Sequence, residues 1–191
     1  MKNNIKLSAI ILSAGYSSRM GELKPLLRFG DKYALELLAE TYMKSKIDDI
    51  IVVVGYRAAD IMDSLKHLKV KWVINPKYDE GMYSSIQKAV MTLDEDSIGF
   101  FVNPVDVPII KPSTIESLIR EFIKSEKGII YPLFNDEKGH PPIISNKYKE
   151  KIIENNMPGG LKNLLNLYLD DSFELPDRKS TRLNSSHPLD L

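Results

Sequence analysis

Predominantly apolar runs alternate with amphipathic, helix-length stretches along this chain, and no other feature constrains its fold as much. Residues 7–12, 70–74 and 98–102 are short apolar-rich runs, and Ile50-Ile51-Val52-Val53-Val54 is β-branched throughout. A run without polar alternation reads as a strand buried on both faces. Between these runs, residues 33–43, 58–68, 82–93 and 112–125 carry helical spacing; in the first of them Leu35, Leu38, Ala39 and Tyr42 form one stripe. Pro112 falls near the first turn of the last, where a missing N–H costs little. Shorter strands at 129–131 and 143–144 precede helices at 146–154 and 160–169. This order predicts right-handed βαβ units: an α/β fold whose mainly parallel sheet is covered by helices on both faces. No repeat or low-complexity linker interrupts it, so residues 1–176 are read as one domain.

Residues 177–191 break the pattern. Asp177-Arg178-Lys179-Ser180-Thr181-Arg182-Leu183-Asn184-Ser185-Ser186-His187 is polar and aperiodic, and resembles a translated sequencing-library adapter more than a terminus that merely frays. The tail is read as an artefact that replaces the natural C-terminus, and is set aside.

Composition excludes several functions. The 26 basic and 26 acidic residues cancel, which argues against a nucleic-acid binder driven by bulk charge while leaving room for a local cationic pocket. The chain has no cysteine, so disulfides, thiolate catalysis and iron–sulfur ligation are out, and its three histidines show no paired metal spacing. No apolar run approaches the ~20 residues needed to span a bilayer. Residues 7–14 follow Lys2 and Lys6 and could pass for a short signal peptide. They lead directly into a segment with chemistry of its own, so a cytoplasmic protein is expected.

That segment is Leu12-Ser13-Ala14-Gly15-Tyr16-Ser17-Ser18-Arg19-Met20-Gly21-Glu22-Leu23-Lys24-Pro25. It follows a buried strand, at the sheet end where open α/β folds bind ligands. Gly15 and Gly21 permit tight turns that expose N–H groups, Ser17 and Ser18 add hydroxyls, and Arg19 and Lys24 bring two cations. The set suits a polyphosphate, although neither the P-loop spacing nor G-x-G-x-x-G is present. On chemistry alone it reads equally as a solvated turn.

The run resembles the L-x-A-G-x-S-x-R-M-G-x-x-K signature of the MobA-like nucleotidyltransferases, and most of all the members that make molybdopterin cytosine dinucleotide. The resemblance extends over about residues 5–169. It implies a Rossmann-like fold of the nucleotide-diphospho-sugar transferase type, in which this loop wraps the triphosphate of a nucleoside triphosphate. Leu12, Ser13, Ala14, Gly15 and Lys24 would contact the nucleotide, and Arg19 and Lys24 would be catalytic.

Three further segments gain meaning beside it. Pro104-Val105-Asp106-Val107-Pro108 puts a stiffly held carboxylate just past a strand, where an aspartate can equally be a turn former. The segment looks like the family's metal motif, which makes Asp106 the expected magnesium ligand and a catalytic residue; magnesium needs few protein ligands. The family's second aspartate, near the C-terminus, has no counterpart before the tail. Asn75 to Ser85 resembles the N-P-x-x-x-x-G-M-x-x-S loop near base and ribose, and Asn75, Gly81 and Ser85 carry over as nucleotide-binding; without the resemblance, the serines at this helix start are simply caps. Gly139-His140-Pro141-Pro142 and Gly159-Gly160-Leu161-Lys162 resemble segments on the acceptor side, so His140, Gly159, Gly160 and Lys162 are substrate-side candidates. Lys162 stands where the family usually has arginine, losing bidentate geometry.

The implied reaction is magnesium-dependent. The phosphate of a molybdopterin-type acceptor attacks the α-phosphorus of a nucleoside triphosphate and pyrophosphate leaves, by positioning and charge neutralisation rather than a covalent protein nucleophile. Lys24 neutralises the phosphates, Arg19 assists the leaving group, and a recipient molybdenum hydroxylase is the implied partner. Ala14 agrees with the cytidine branch of the family, while Ser13 departs from both the cytidine and guanosine branches, so CTP is favoured over GTP. Transfer to a sugar or polyol phosphate, and a non-catalytic nucleotide-binding accessory of a molybdenum hydroxylase, remain the rival readings.

Overall fold

The computed structural model describes residues 5–16, 23–47, 49–135 and 137–176. In chain order its elements are β1 (Leu7–Ser13), β2 (Arg28–Phe29), β3 (Lys32–Tyr33), α1 (Ala34–Lys44), β4 (Asp49–Val54), α2 (Ala58–Ser64), β5 (Lys71–Ile74), α3 (Met82–Val90), β6 (Gly99–Pro104), α4 (Pro112–Ser125), β7 (Ile129–Phe134), β8 (Glu137–Lys138), β9 (Ile143–Ser145), α5 (Lys149–Glu154), α6 (Gly160–Asn166) and β10 (Ser172–Pro176). Short 3₁₀ turns at Lys24–Leu26, Tyr78–Glu80, Asn146–Tyr148 and Leu169–Asp171 complete the described chain.

The unbroken apolar runs became the centre of the sheet. Every residue of β1 is buried, and it pairs in parallel with β4 on one side and β6 on the other, so that Ile10 stands beside both Ile51 and Val102. The full order is β10-β7-β9-β6-β1-β4-β5, with β8 paired to β7. β9 runs antiparallel to both its neighbours, β6 and β7. Residues 135–142 are too few for the crossover of a dozen or more that parallel pairing requires, so the chain returns as an antiparallel strand.

Side-chain alternation along β1 divides the core into two layers. Ala9 and Ile11 pack with Leu35, Leu38 and Tyr42 of α1, Ile61 of α2 and Ile115 and Phe122 of α4. Ile10 and Leu12 pack on the other face with Ile86 and Val90 of α3, Ile152 of α5 and Leu164 of α6. Helices therefore cover both faces, as the alternation predicts.

Boundaries depart from expectation where local turns intervene. α2 ends at Ser64 rather than 68, and α3 at Val90 rather than 93, where Thr92 N–H turns back to the Ala89 carbonyl at 2.8 Å. The pairs β2–β3 and β7–β8 contain strands too short to carry a hydrophobic period, and β10 is a largely exposed edge strand. Ile51, fully buried in β4, tests the central layer. Ile51→Ala should cost about 2–5 kcal/mol in urea unfolding, and Phe173→Ala on the edge strand, where the ring is 36% exposed, much less.

Candidate active site

The strand order reverses at β1, whose neighbours β4 and β6 diverge into separate connections past its carboxyl end. Ligands bind in such crevices. Here the chain ends are held close: Val105 N–H donates to the Leu12 carbonyl and Tyr56 N–H to the Ala14 carbonyl, both at 3.0 Å. A Cβ on Gly55 would lie 2.8 Å from the Ala14 oxygen and 2.6 Å from the Tyr78 Cβ, so only glycine lets the end of β4 approach this closely.

Two loops from distant parts of the chain meet at the crevice. Lys24 opens a 3₁₀ turn with buried Pro25 behind it. Asp106 lies in a turn closed by Val107 N–H on the Pro104 carbonyl at 3.1 Å. Asn103 braces that turn, donating from Nδ2 to the Pro104 carbonyl at 2.9 Å and to that of Val107 at 3.3 Å. Lys24 Nζ then donates to Asp106 Oδ2 at 2.6 Å, with the two side chains 36% and 51% exposed. A cation and a carboxylate are thus presented side by side to solvent.

A cavity of about 480 Å³ opens over them. Leu12, Ser13, Ala14 and Gly15 line it beside Lys24 and Asp106, as do Gly81 and Ser85 from the start of α3. Gly81 takes φ of +99°, a conformation that strains any side chain, and so turns the chain into the helix. Asn75 is different. It is buried, and its Nδ2 donates to Ser84 Oγ and Ser85 Oγ, both at 2.9 Å, while its Oδ1 accepts from Lys77 N–H at 3.0 Å. Asn75 is not on the cavity wall; it ties the end of β5 to the first turn of α3. Arg19 lies outside the described residues.

The substrate-side candidates also converge. A second cavity of about 900 Å³ is lined by His140, Gly159, Gly160 and Lys162, and it shares Leu12, Gly81, Met82 and Pro104 with the first. Desolvation holds the His140 imidazole below the usual histidine range, opposed by a hydrogen bond to the Val102 backbone. Burial, with Glu174 nearby, pushes the Tyr131 hydroxyl up to about 12. Lys138 Nζ lies 4.5 Å from the centre of the Tyr131 ring. Glu80 and Glu137 also line this cavity, so it presents charges of both signs beside an aromatic face.

Several wall residues escaped the sequence reading. Tyr16 and Tyr78 line the smaller cavity, and Tyr83, Tyr131 and Lys138 the larger. Tyr16 falls at a position the signature leaves open, and Lys138 sits on a two-residue strand that no periodicity marks. Among the described residues no group of three or more His, Cys, Asp or Glu side chains gathers to hold a metal ion, and no helix is long and apolar enough to cross a membrane.

Comparison with known proteins identifies the family and the fold. Molybdenum cofactor cytidylyltransferase of Escherichia coli (strain K12) is 29% identical over 140 residues, covering 73% of this chain and 70% of that protein. Bifunctional protein GlmU of Prochlorococcus marinus (strain MIT 9211) is 27% identical over 150 residues; the match takes in 75% of this chain but only 33% of that protein, so the chain spans about a third of its length. The crystal structure of Rv0371c from Mycobacterium tuberculosis H37Rv superimposes with a TM-score of 0.79 at 21% identity, over 90% of this chain and 88% of that one. Another structure of Rv0371c is a complex with manganese, with a TM-score of 0.68, 20% identity and the same coverage. The MobA-like NTP transferase domain matches residues 9–173. The chain belongs to that family and is a nucleotidyltransferase.

Proposed function

We propose that this nucleotidyltransferase moves the nucleotidyl group of a nucleoside triphosphate, CTP in preference to GTP, onto the phosphate of a molybdopterin-type cofactor and releases pyrophosphate. One observation carries the reading. Lys24 and Asp106, 82 residues apart in sequence, meet at 2.6 Å on the wall of a cavity that runs into a larger one lined by His140 and Lys162.

The triphosphate occupies the smaller cavity. There Gly15, at the end of β1, allows phosphate oxygens close to the backbone, and Lys24 exchanges Asp106 for those oxygens as its partner. The acceptor phosphate, already anionic, lies in the larger cavity near His140 and Lys162 and needs no base. Its oxygen bonds to the α-phosphorus as the bond from that phosphorus to the bridging oxygen of the β-phosphate breaks. The electron pair leaves with pyrophosphate, whose departure Arg19 assists. Asn75 acts indirectly, by holding Ser85 and the start of α3 in place.

Asp106 offers a single half-exposed carboxylate, which fits magnesium, an ion that completes its shell with phosphate oxygens and water. Bound there, the ion supplies charge neutralisation at the phosphates. That Rv0371c, which shares the fold, forms a complex with manganese supports a role for a divalent ion in this reading. The preference for CTP rests on Ala14 and on the cytidylyltransferase relative; a recipient molybdenum hydroxylase and a cytoplasmic setting belong to the same proposal.

Three measurements test this. In thermal melts with magnesium, CTP at ~100 times its dissociation constant should stabilise the protein by about 2.7 kcal/mol, and GTP at the same concentration by less; an equal or larger shift with GTP reverses the base assignment. Lys24→Ala should lower pyrophosphate release by ~10²–10³, the effect of removing a preorganised charge-stabilising donor. The fold should survive, because an exposed ion pair is worth only about 0–1 kcal/mol.

Asp106→Asn keeps the turn that a purely structural aspartate would form, so a structural role predicts unchanged turnover. As a metal ligand the variant should lose pyrophosphate release, with only partial rescue by added magnesium. Superimposable magnesium titrations for the two proteins would put the metal elsewhere.

A further inference from the structure

The smaller cavity has a second character that Lys24 and Asp106 do not explain. Tyr16 and Met82 stand on its wall 50% and 58% exposed, with Tyr78 beside them. A single exposed apolar side chain needs no explanation, but an aromatic one on the wall of a charged cavity does. Tyr16 meets Tyr78 edge to face, with ring centroids 5.2 Å apart and planes at 68°, and meets Tyr56 at 5.2 Å and 44°.

The three rings come from three connections: one just past β1, one just past β4, and the 3₁₀ turn ahead of α3. Their footing is rigid. Tyr56 N–H is held on the Ala14 carbonyl, and Gly55 leaves no room between Tyr78 and that same oxygen. Tyr16 also hydrogen-bonds Tyr78, which together with desolvation keeps its hydroxyl protonated. Here, then, is an uncharged aromatic surface, fixed in position, in a cavity that also presents a lysine.

A ligand that satisfies the whole wall is anionic at one end and a planar unsaturated ring at the other. We propose that the exposed face of Tyr16, backed by Tyr78 and flanked by Met82, is the stacking platform for the base of the donor nucleotide. This rests on the donor reading above and adds a residue that governs nucleotide affinity without touching the reacting phosphorus. Stacking uses the ring face, which every base has, so Tyr16 sets how tightly the nucleoside end is held and leaves the choice among bases to groups at the ring edge.

Inorganic tripolyphosphate separates the two ends, because it carries the charge and lacks the base. Calorimetric titrations with the magnesium complexes of CTP and of tripolyphosphate compare the wild type with Tyr16→Ala and Tyr16→Phe. Tyr16→Ala should weaken CTP roughly 5- to 150-fold, the span that base–aromatic stacking carries, and leave tripolyphosphate affinity unchanged. Tyr16→Phe keeps the ring and should keep CTP affinity. An equal loss with both ligands would make Tyr16 a prop for the phosphate loop and overturn the platform. So would undiminished CTP binding in Tyr16→Ala, or a Tyr16→Phe protein as weak as Tyr16→Ala. If the wild type holds tripolyphosphate as tightly as every nucleoside triphosphate, the donor reading itself fails, and the platform with it, before any variant is compared.

Discussion

Everything at the crevice depends on how completely β1 is enclosed. All seven of its residues are buried between two parallel neighbours, and helices close both faces. A buried strand must pair its backbone N–H and C=O groups, so the chain cannot leave the sheet before Ser13. It then has to turn where β4 and β6 part. The phosphate-facing loop therefore owes its position to packing several residues upstream of it, and Leu12 serves both as a core residue of the α3 layer and as the floor of both cavities.

Ion pairing alone would not have distinguished this place. Lys6 and Asp94 are paired at 2.5 Å, 88 residues apart, with the Asp94 carboxyl held below the usual carboxylate range and the Lys6 ammonium raised by their hydrogen bond. That pair stands at the amino end of β1, where Ile98 N–H also donates to the Lys6 carbonyl, and it ties the connection ahead of β6 to the start of β1. Lys24–Asp106 has a similar distance but stands at the carboxyl end, on the wall of a cavity. Exposed pairs contribute little to stability wherever they occur. What differs is that an anion entering the crevice meets a lysine on the cavity wall, in a chain whose net charge is zero. Local placement does here what bulk charge does in nucleic-acid binders.

Long, unbroken apolar runs made the central strands and their helices legible, and α4 spans 112–125 as read, because burial on both faces leaves a pattern in the residues themselves. Strands of two residues leave none. β10 was missed because an edge strand with Glu174 and Pro176 lacks a continuous apolar signal. At the site, motifs that fix type and spacing single out residues that the fold brings together: Leu12 through Gly15, Lys24 and Asp106 line one cavity, and His140, Gly159, Gly160 and Lys162 line the other. Identity could not say which way a polar group points. Asn75 reads as a ligand contact from its motif, yet its side-chain amide bonds Lys77, Ser84 and Ser85. Tyr16 shows the reverse, an open motif position filled by a side chain that the fold turns into cavity wall.

The junction between the cavities decides what chemistry they can share. Leu12, Gly81, Met82 and Pro104 belong to both walls, so a ligand in one abuts a ligand in the other across them. For the proposed transfer, the reacting phosphorus belongs at that junction, with the β- and γ-phosphates toward Lys24 and the acceptor toward His140 and Lys162. Pro104 ends β6 and begins the turn that carries Asp106, so the strand that walls the junction also sets the carboxylate. Gly81 begins α3, whose first turn Asn75 fastens to β5. Two of the boundary residues, a proline of fixed φ and a glycine at a φ of +99° that would strain any side chain, are thus anchored to different strands. Positioning of this kind is what a transfer without a protein nucleophile requires, since its rate depends on holding two anionic groups in line at short range.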